Sequence, residues 1–399
     1  MRRTACLLLF SAALSLRAQQ DASFALPNGL KVKVYEDHSL PLVRGELRLT
    51  LPKPSEDGEA WLRPLAFRML SAGGSGTRAA AAFAQAADAI GLDLRLATAA
   101  DSATWTFSVR SQDQEAALAL LADRVARPAF DPIALEAARS QAWSELSESD
   151  ALARAQLRFA RSLSAIPEPE EQLLGAVDSA RLAAWHRRFF RPDQTTLVLW
   201  GDLDEAQARQ LTLLSLGAWT AQPAVAAAPA SARPEPGPFL AALPGEAPTA
   251  AVGLAAGGAD TAQRRLLRAW AEGQLRADGL SVAAGEDGDV LVVSATAPIG
   301  TPAETLRARI AGALDALPEA LSPSALAALL ARDANLRKLM GLHPAALVAA
   351  ADQEGPTTAL DAAAAKAVLA RWCAPANRRL FASGDPGSLQ GLQTSTPKR

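Results

Sequence analysis

Apolar and polar positions along the first half of the chain follow two different periods. Alternating apolar and polar residues indicate half-buried strands, whereas apolar residues three or four positions apart indicate helices that bury one face. The first alternation, Leu30, Val32 and Val34, follows a Pro-Asn-Gly turn at 27–29. Further strands are predicted at 43–51, 92–98, 103–110 and 195–202. Helices are predicted at 79–89, 112–126, 132–162, 179–190 and 205–215.

Residues 221–238 interrupt this pattern, because they are rich in Ala and Pro and hold little that could pack. Such a composition is typical of a linker. Beyond it the pattern partly recurs. Strands are predicted at 250–256, 280–284 and 290–296, and helices at 263–276, 303–316, 323–339 and 359–372.

The two halves end in matching segments. Aligned without a gap, residues 188–202 and 371–385 share a proline, a leucine and a Gly-Asp pair at the same spacing. The shared positions are Pro192 and Pro375, Leu197 and Leu380, Gly201 and Gly384, and Asp202 and Asp385. We therefore predict an α+β chain of two homologous α/β sandwich halves, each a mostly antiparallel sheet with helices packed on it. The predicted domains are 21–220 and 239–392, followed by a tail at 393–399.

Residues 1–20 have the pattern of a secretory signal peptide. Met1, Arg2 and Arg3 give a positive start, residues 4–16 are mostly apolar, and Ala18 offers a small residue for cleavage. The apolar run is shorter than the ~20 residues that span a bilayer. The alternative is an apolar N-terminal helix of the fold. We expect a periplasmic or secreted protein, cleaved near residue 18, with no membrane span further along.

Composition and charge limit the chemistry. With 40 basic and 42 acidic residues the net charge is −2, which argues against a nucleic-acid partner. Removal of Cys6 with the signal would leave Cys373 alone, which excludes an intrachain disulfide; we expect Cys373 to be a small buried thiol. The three histidines, His38, His186 and His343, lie far apart in the sequence. We expect each to be a surface or capping residue.

Seven short motifs, taken in order, resemble the insulinase- or pitrilysin-type zinc peptidases. They are Leu-Pro-Asn-Gly-Leu at 26–30, Met-Leu-Ser-Ala-Gly-Gly at 69–74, Ile-Gly at 90–91, Ala-Arg-Pro-Ala-Phe at 126–130, residues 139–146, Gly-Asp at 201–202 and Gly-Ala-Trp at 217–219. The resemblance covers residues 24–219 well and the second half more faintly. It implies two homologous halves in each chain, and pairs of chains enclosing a chamber that degrades peptides.

The zinc motif of this family is replaced here. The family carries His-x-x-Glu-His on a helix before the Met-Leu pair; the two histidines bind one zinc ion, and the glutamate activates the water on it. The aligned residues of this chain are Pro64-Leu65-Ala66-Phe67-Arg68. Proline and phenylalanine offer no metal-binding atom, and arginine stays cationic. We therefore expect no metal ligand, no cofactor and no catalytic residue.

Bacterial relatives often work as two-protein assemblies, in which a zinc-free subunit supplies an Arg and a Tyr. The chain resembles such a subunit, so its expected partner is a zinc-bearing paralogue and its possible ligand a peptide. The only tyrosine, Tyr35, lies in the first predicted strand, so the Tyr of that pair is absent. Arg276 lies near the expected Arg, but the resemblance does not assign it. Glu145 falls where the family has a third zinc ligand; we expect a solvated or salt-bridged residue.

Two alternatives remain open at this level: a stand-alone periplasmic peptide-binding or scaffold protein, and a hydrolase with a relocated site. The glycine-rich stretch at 73–77 lacks the Gly-Lys-Ser/Thr ending of a phosphate-binding loop. We expect a turn there, with Thr77 capping the helix that follows. The small basic cluster of Arg187, Arg188 and Arg191 is expected to be a solvated face.

Overall fold

The computed structural model describes residues 21–52, 59–99, 102–148, 151–152, 155–156, 158–159, 174–220, 239–256, 261–284, 290–340, 360–390 and 392. The predicted signal peptide, linker and tail, together with His343, lie outside these residues. The strands are β1 (Asp21–Ala25), β2 (Lys31–Glu36), β3 (Leu42–Thr50), β4 (Arg95–Ala99), β5 (Ser102–Arg110), β6 (Thr195–Gly201), β7 (Phe239–Ala242), β8 (Thr249–Ala255), β9 (Ser281–Ala284), β10 (Val290–Thr296) and β11 (Arg378–Gly384). The helices are α1 (Glu59–Ala72), α2 (Ala80–Ala89), α3 (Gln114–Ala126), α4 (Pro132–Glu148), α5 (Ser179–Phe189), α6 (Glu205–Leu216), α7 (Thr261–Ala277), α8 (Ala303–Ala320), α9 (Pro323–Met340) and α10 (Ala362–Cys373).

The first half is built on a six-stranded sheet in the order β1-β2-β6-β3-β5-β4. Every neighbouring pair is antiparallel except β2 and β6, which run parallel. Alternation puts Val32, Leu47 and Trp105 on one face, where they form a core with the helices. The turn between β1 and β2 is tied to the end of the half, since the Asn28 amide donates to the carbonyls of Leu216 and Trp219.

The second half repeats this plan with a five-stranded sheet, β7-β11-β8-β10-β9. The strand pair β7 and β11 is again parallel and the others are antiparallel. Leu267, Val293, Ile310 and Trp372 form its core with the helices on one face. The predicted duplicated fold of mostly antiparallel sheets with packed helices is therefore confirmed.

The elements depart from the predicted pattern in a few places. The short strands β1 and β7 were not predicted, and the long helix expected at 132–162 is α4, ending at Glu148, with further helical residues between 151 and 159. No counterpart of α2 is present among the described residues of the second half, where α7 leads through Gly279 directly to β9. Thr77 does not cap α2: the helix begins after Ala79, which makes no side-chain cap.

The two halves touch through an aromatic cluster. The helical residues between 151 and 159 lie against the face of the second sheet opposite its helices. The ring of Phe159 lies 5.3 Å from that of Phe381 and 6.4 Å from that of Phe239. A segment of the first half thus covers apolar surface of the second, which favours a fixed relation between them.

Among the described residues, no single helix has the length and apolarity to cross a membrane, and the nearest candidate is α8 together with the start of α9, bent by 85°. The apolar residues of α8, among them Leu306, Ile310 and Leu314, are instead buried against the second sheet. Burial in a core accounts for their apolar character.

Candidate functional site

Helix α1 presents the replaced zinc motif on a single stripe. Leu65 and Ala66 are fully buried in the core, whereas Pro64, Phe67 and Arg68 are partly exposed. Positions three and four residues apart share one face of a helix, so these three side chains lie together. The stripe faces α4 and α5, on which α1 packs.

Arg68, at the second histidine position, pairs with Glu145 of α4. The guanidinium meets the carboxylate through both terminal nitrogens: Nη1 donates to Oε1 at 3.1 Å, and Nη2 donates to Oε2. Such a fork-to-fork geometry is the strongest that arginine makes with a carboxylate. The guanidinium lowers the pKa of Glu145 below its usual value, so the carboxylate is charged near neutral pH. Gln141 also donates to Oε1, at 3.1 Å.

Phe67, at the position of the general base, makes an apolar contact instead. Its ring meets the ring of Trp185 edge to face, with centroids 5.9 Å apart and planes at 86°. The guanidinium of Arg63 also lies over Trp185, 5.9 Å from its centroid. Pro64, one turn before Arg68, has no backbone N–H and therefore donates no hydrogen bond within α1.

Zinc does not fit this arrangement. Of the three motif positions, two have no donor atom, and the third holds a cation. The remaining family ligand position, Glu145, is already bound by that cation. Among the described residues, no group of three or more His, Cys, Asp or Glu side chains could hold a metal ion. An ion pair links the two helices instead.

Aromatic packing fixes α4 beside α1. The rings of Trp61 and Trp143 lie 6.3 Å apart, and Ala142 is buried in the first core. Arg139 of α4 pairs with Glu136 and donates to the carbonyl of Val177. Glu145 is thus carried on a helix anchored on two sides, which positions its carboxylate for Arg68.

His186 is buried, which corrects the expectation of a surface or capping role. Its Nε2 lies 2.8 Å from the carbonyl oxygen of Val125, and its ring stacks on Phe190 at 4.3 Å. Burial lowers the pKa of His186 to about 4, so the neutral ring donates to that carbonyl. The sequence pattern missed this because Arg187 and Arg188 suggested a solvated helix end.

His38 lies in the exposed turn after β2, as expected. Its Nδ1 is 2.8 Å from Oδ1 of Asp202, the residue that follows β6. This hydrogen bond raises the pKa of His38 and lowers that of Asp202. The pair joins the turns that follow the neighbouring parallel strands β2 and β6.

The glycine-rich turn at 73–77 is held by α3. Gly76 has a φ of +62°, and a Cβ there would lie 2.8 Å from the Asp123 carboxylate. Arg78 donates to the same carboxylate at 2.6 Å. Arg124, buried beneath the turn, donates to the Gly73 carbonyl, and burial lowers its pKa to about 10. The turn is therefore packed against a protein carboxylate, whose charge disfavours a phosphate beside Gly76.

The other residues considered from sequence lie away from Arg68 and Glu145. Cys373 is buried, as predicted, and burial raises its pKa to about 11.

Tyr35 lies in the second strand, β2, because the short strand β1 precedes the strand that was predicted as the first. Its side chain is buried beside Val198 and Trp200. Arg276 is exposed and donates to Glu272 on its own helix at 3.3 Å.

The basic cluster near the end of α5 is only partly solvated. Arg187 is exposed, as expected. The guanidinium of Arg188 lies 4.8 Å from the centroid of the Phe189 ring, and Arg191 pairs with Asp193 at 2.6 Å. The side chain of Arg191 keeps only 15% of its surface exposed, so it contributes to local packing.

Comparison with known proteins agrees with this fold. The sequence model of Insulinase (Peptidase family M16) matches residues 65–170. No curated protein matches the sequence. A protease from Helicobacter pylori has a similar structure, with a TM-score of 0.74 and 12% identity over 92% of this chain and 100% of the other. An inactive peptidase M16 domain from Pseudomonas fluorescens is similar, with a TM-score of 0.72 and 18% identity over 94% of this chain and 100% of the other.

A third similar structure is the periplasmic protease PqqL from Escherichia coli, with a TM-score of 0.67 and 13% identity. The match covers 92% of this chain and 47% of PqqL, so this chain spans about half the length of that protease. The chain thus shares the duplicated α/β fold of these structures. Residues 65–170 thus resemble the insulinase-type family, M16, in sequence, and the chain as a whole resembles the inactive M16 domain in fold.

Proposed function

We propose that this chain is a non-catalytic partner subunit of a zinc-bearing paralogue in the degradation of peptides. It would complete the chamber that the paralogue needs and shape the access of peptides to the paralogue's zinc. The observation that supports this proposal is the pairing of Arg68 with Glu145. The fold is retained, yet the positions for metal binding and base catalysis hold a salt bridge and an apolar contact.

The setting that we propose is the periplasm. A positive start followed by a short apolar run at residues 1–20 supports export, and one similar structure is that of a periplasmic protease. The chain and its partner would then meet after export.

The test is reconstitution with a homologue from the same organism that has an intact His-x-x-Glu-His motif. Mixed in equal amounts, the two proteins are expected to elute from gel filtration as one complex. Its mass by light scattering should equal the summed masses of whole copies of both chains. Hydrolysis of an unfolded peptide should require the homologue, stop with a chelator and increase when this chain is added. This chain alone should show neither bound zinc nor hydrolysis.

The matched control replaces the motif Glu of the homologue with Gln, which should leave the complex intact and abolish hydrolysis. A mixture that elutes as two unshifted species would overturn the partner role and favour a stand-alone peptide-binding or scaffold protein. Chelator-sensitive hydrolysis by this chain alone would overturn both.

A further inference from the structure

We propose that Arg68 is a binding site for the C-terminal carboxylate of a peptide, and that Glu145 occupies this site in the ligand-free chain. The inference rests on the proposed role in handling peptides. It assigns a ligand class to the position where the family places its metal. The geometry of the pair already shows a guanidinium holding a carboxylate through both of its terminal nitrogens.

The site is open to solvent. The side chain of Arg68 keeps 31% of its surface exposed, and that of Glu145 keeps 53%. A carboxylate from solution can therefore reach the guanidinium. Ion pairs with this exposure stabilise a protein by little, because water solvates both charges well. Exchange of one carboxylate for another at Arg68 therefore costs little free energy.

Glu145 has a second partner after it is displaced. The Gln141 amide donates to Oε1 of Glu145 at 3.1 Å, one turn earlier on the same helix. This hydrogen bond does not depend on Arg68. The displaced carboxylate would keep this contact and water, so it would not be buried without a partner.

The surroundings suit a peptide end. Phe67, partly exposed beside Arg68, offers apolar surface. Its contact with Trp185 and the pairing of Trp61 with Trp143 pack α1 against α5 and α4. A peptide carboxylate with an apolar last side chain could contact the guanidinium and the Phe67 ring together. Arginine suits this contact better than lysine would, because its planar guanidinium donates to both carboxylate oxygens at once.

Two variants that remove the same ion pair test the proposal. Glu145→Gln leaves the guanidinium without its competitor, and Arg68→Gln removes the guanidinium. Binding is measured by calorimetry with acetyl-Ala-Ala-Ala-Ala-Leu as the free acid and as the C-terminal amide. We expect Glu145→Gln to bind the acid about 10-fold more tightly than the unmodified chain does, with the amide unchanged. We expect Arg68→Gln to show no preference for the acid.

Because both variants lose the same link between α1 and α4, a change in stability alone would affect them equally. Equal affinities of Glu145→Gln for acid and amide would overturn the carboxylate site. That result would leave the partner role untouched, since complex formation is measured separately by size. Conversely, a preference for the acid without any complex would support the site and refute the partner role.

Discussion

Nη1 of Arg68 lies 3.1 Å from Oε1 of Glu145, and this contact joins α1 to α4. The resemblance in sequence aligns these two residues with zinc ligands of the insulinase-type peptidases. The ion pair attracts the two helices to each other, as a metal ion held by ligands from both helices would. The link is much weaker than metal coordination, because both side chains are partly exposed. The rings of Trp61 and Trp143 also pack between these two helices and add an apolar contact.

The first prediction concerns the strength of this link. In a double-mutant cycle of Arg68→Gln and Glu145→Gln, the coupling free energy should be at most about 1 kcal/mol. It should fall as salt is raised from low to high concentration, since screening acts strongly on exposed pairs. Urea unfolding of the four proteins measures it. A coupling of several kcal/mol, insensitive to salt, would contradict the exposed geometry.

The second prediction is that zinc binding can be installed. Pro64→His, Phe67→Glu and Arg68→His together place two imidazoles four residues apart on α1 and free Glu145 to act as a ligand. We expect about one zinc ion per chain, retained through gel filtration and removed by chelator. Metal content by mass spectrometry measures it, with the unmodified chain as reference.

The control for zinc binding is the same triple variant with Glu145→Gln added. Loss of this carboxylate should weaken zinc binding, because the ion would keep only two protein ligands. If the triple variant binds no zinc although it folds, then α4 does not hold Glu145 within reach of the α1 site.

Most of the fold could be predicted from the sequence, because it depends on patterns that span a few residues. The alternation in β2 and the matching segments around β6 and β11 predicted strands and their duplication. The missed strands are short: β7 has four residues and pairs only with β11. Strands of that length carry too few alternating positions to be distinguished from a loop.

The candidate site could be predicted only in part. The sequence indicated that residues 64, 67 and 68 could not serve zinc chemistry, but not that Arg68 would pair with Glu145. The signal was present, since a cation stood at one former ligand position and an anion at another. Burial of His186 could not be predicted, because its partner, the Val125 carbonyl, is a backbone atom 61 residues away.

The third prediction concerns His38. Hydrogen bonding to Asp202 raises the pKa of the imidazole, and the nearby carboxylates of Glu36 and Asp204 act in the same direction. Asp202→Asn should therefore lower the pKa of His38, as followed by NMR of the ring protons. The control is Glu205→Gln, which removes a carboxylate that pairs with Arg209 and does not contribute to the raised pKa of His38. An unchanged titration in Asp202→Asn would show that the pair does not persist in solution.

The fourth prediction concerns Cys373. Burial raises its thiol pKa from 9.0 to about 11, so the thiolate fraction at pH 8 should be about 100-fold lower than in an exposed cysteine. With Cys6 replaced by Ser, the folded chain should react with a thiol reagent far more slowly than the urea-unfolded chain. Rapid labelling of the folded protein would contradict the buried position.

The last prediction is a loss of stability at mildly acidic pH that originates at His186. Its pKa is about 4 in the folded chain and 6.5 once unfolding exposes the ring, so between these values the unfolded chain binds more protons. The free energy of unfolding should therefore fall as pH is lowered from about 6.5 to about 4, by about 3 kcal/mol from this group. Above pH 6.5 its contribution is fully present.

The variant that isolates this contribution is His186→Gln, because an amide can still donate to the Val125 carbonyl but does not titrate. It should lose about 1–2 kcal/mol at pH 7 through the missing ring contact with Phe190, 4.3 Å away. Because the variant lacks the loss of about 3 kcal/mol on acidification, its deficit should vanish as pH falls and the variant should be the more stable protein near pH 4. Urea unfolding at several pH values measures this. For His38→Gln, the difference in stability from the unmodified chain should instead shrink as pH rises. The raised pKa of His38 contributes stability at low pH that is lost as pH rises. Parallel curves for the unmodified chain and His186→Gln would mean that this imidazole does not remain neutral on folding.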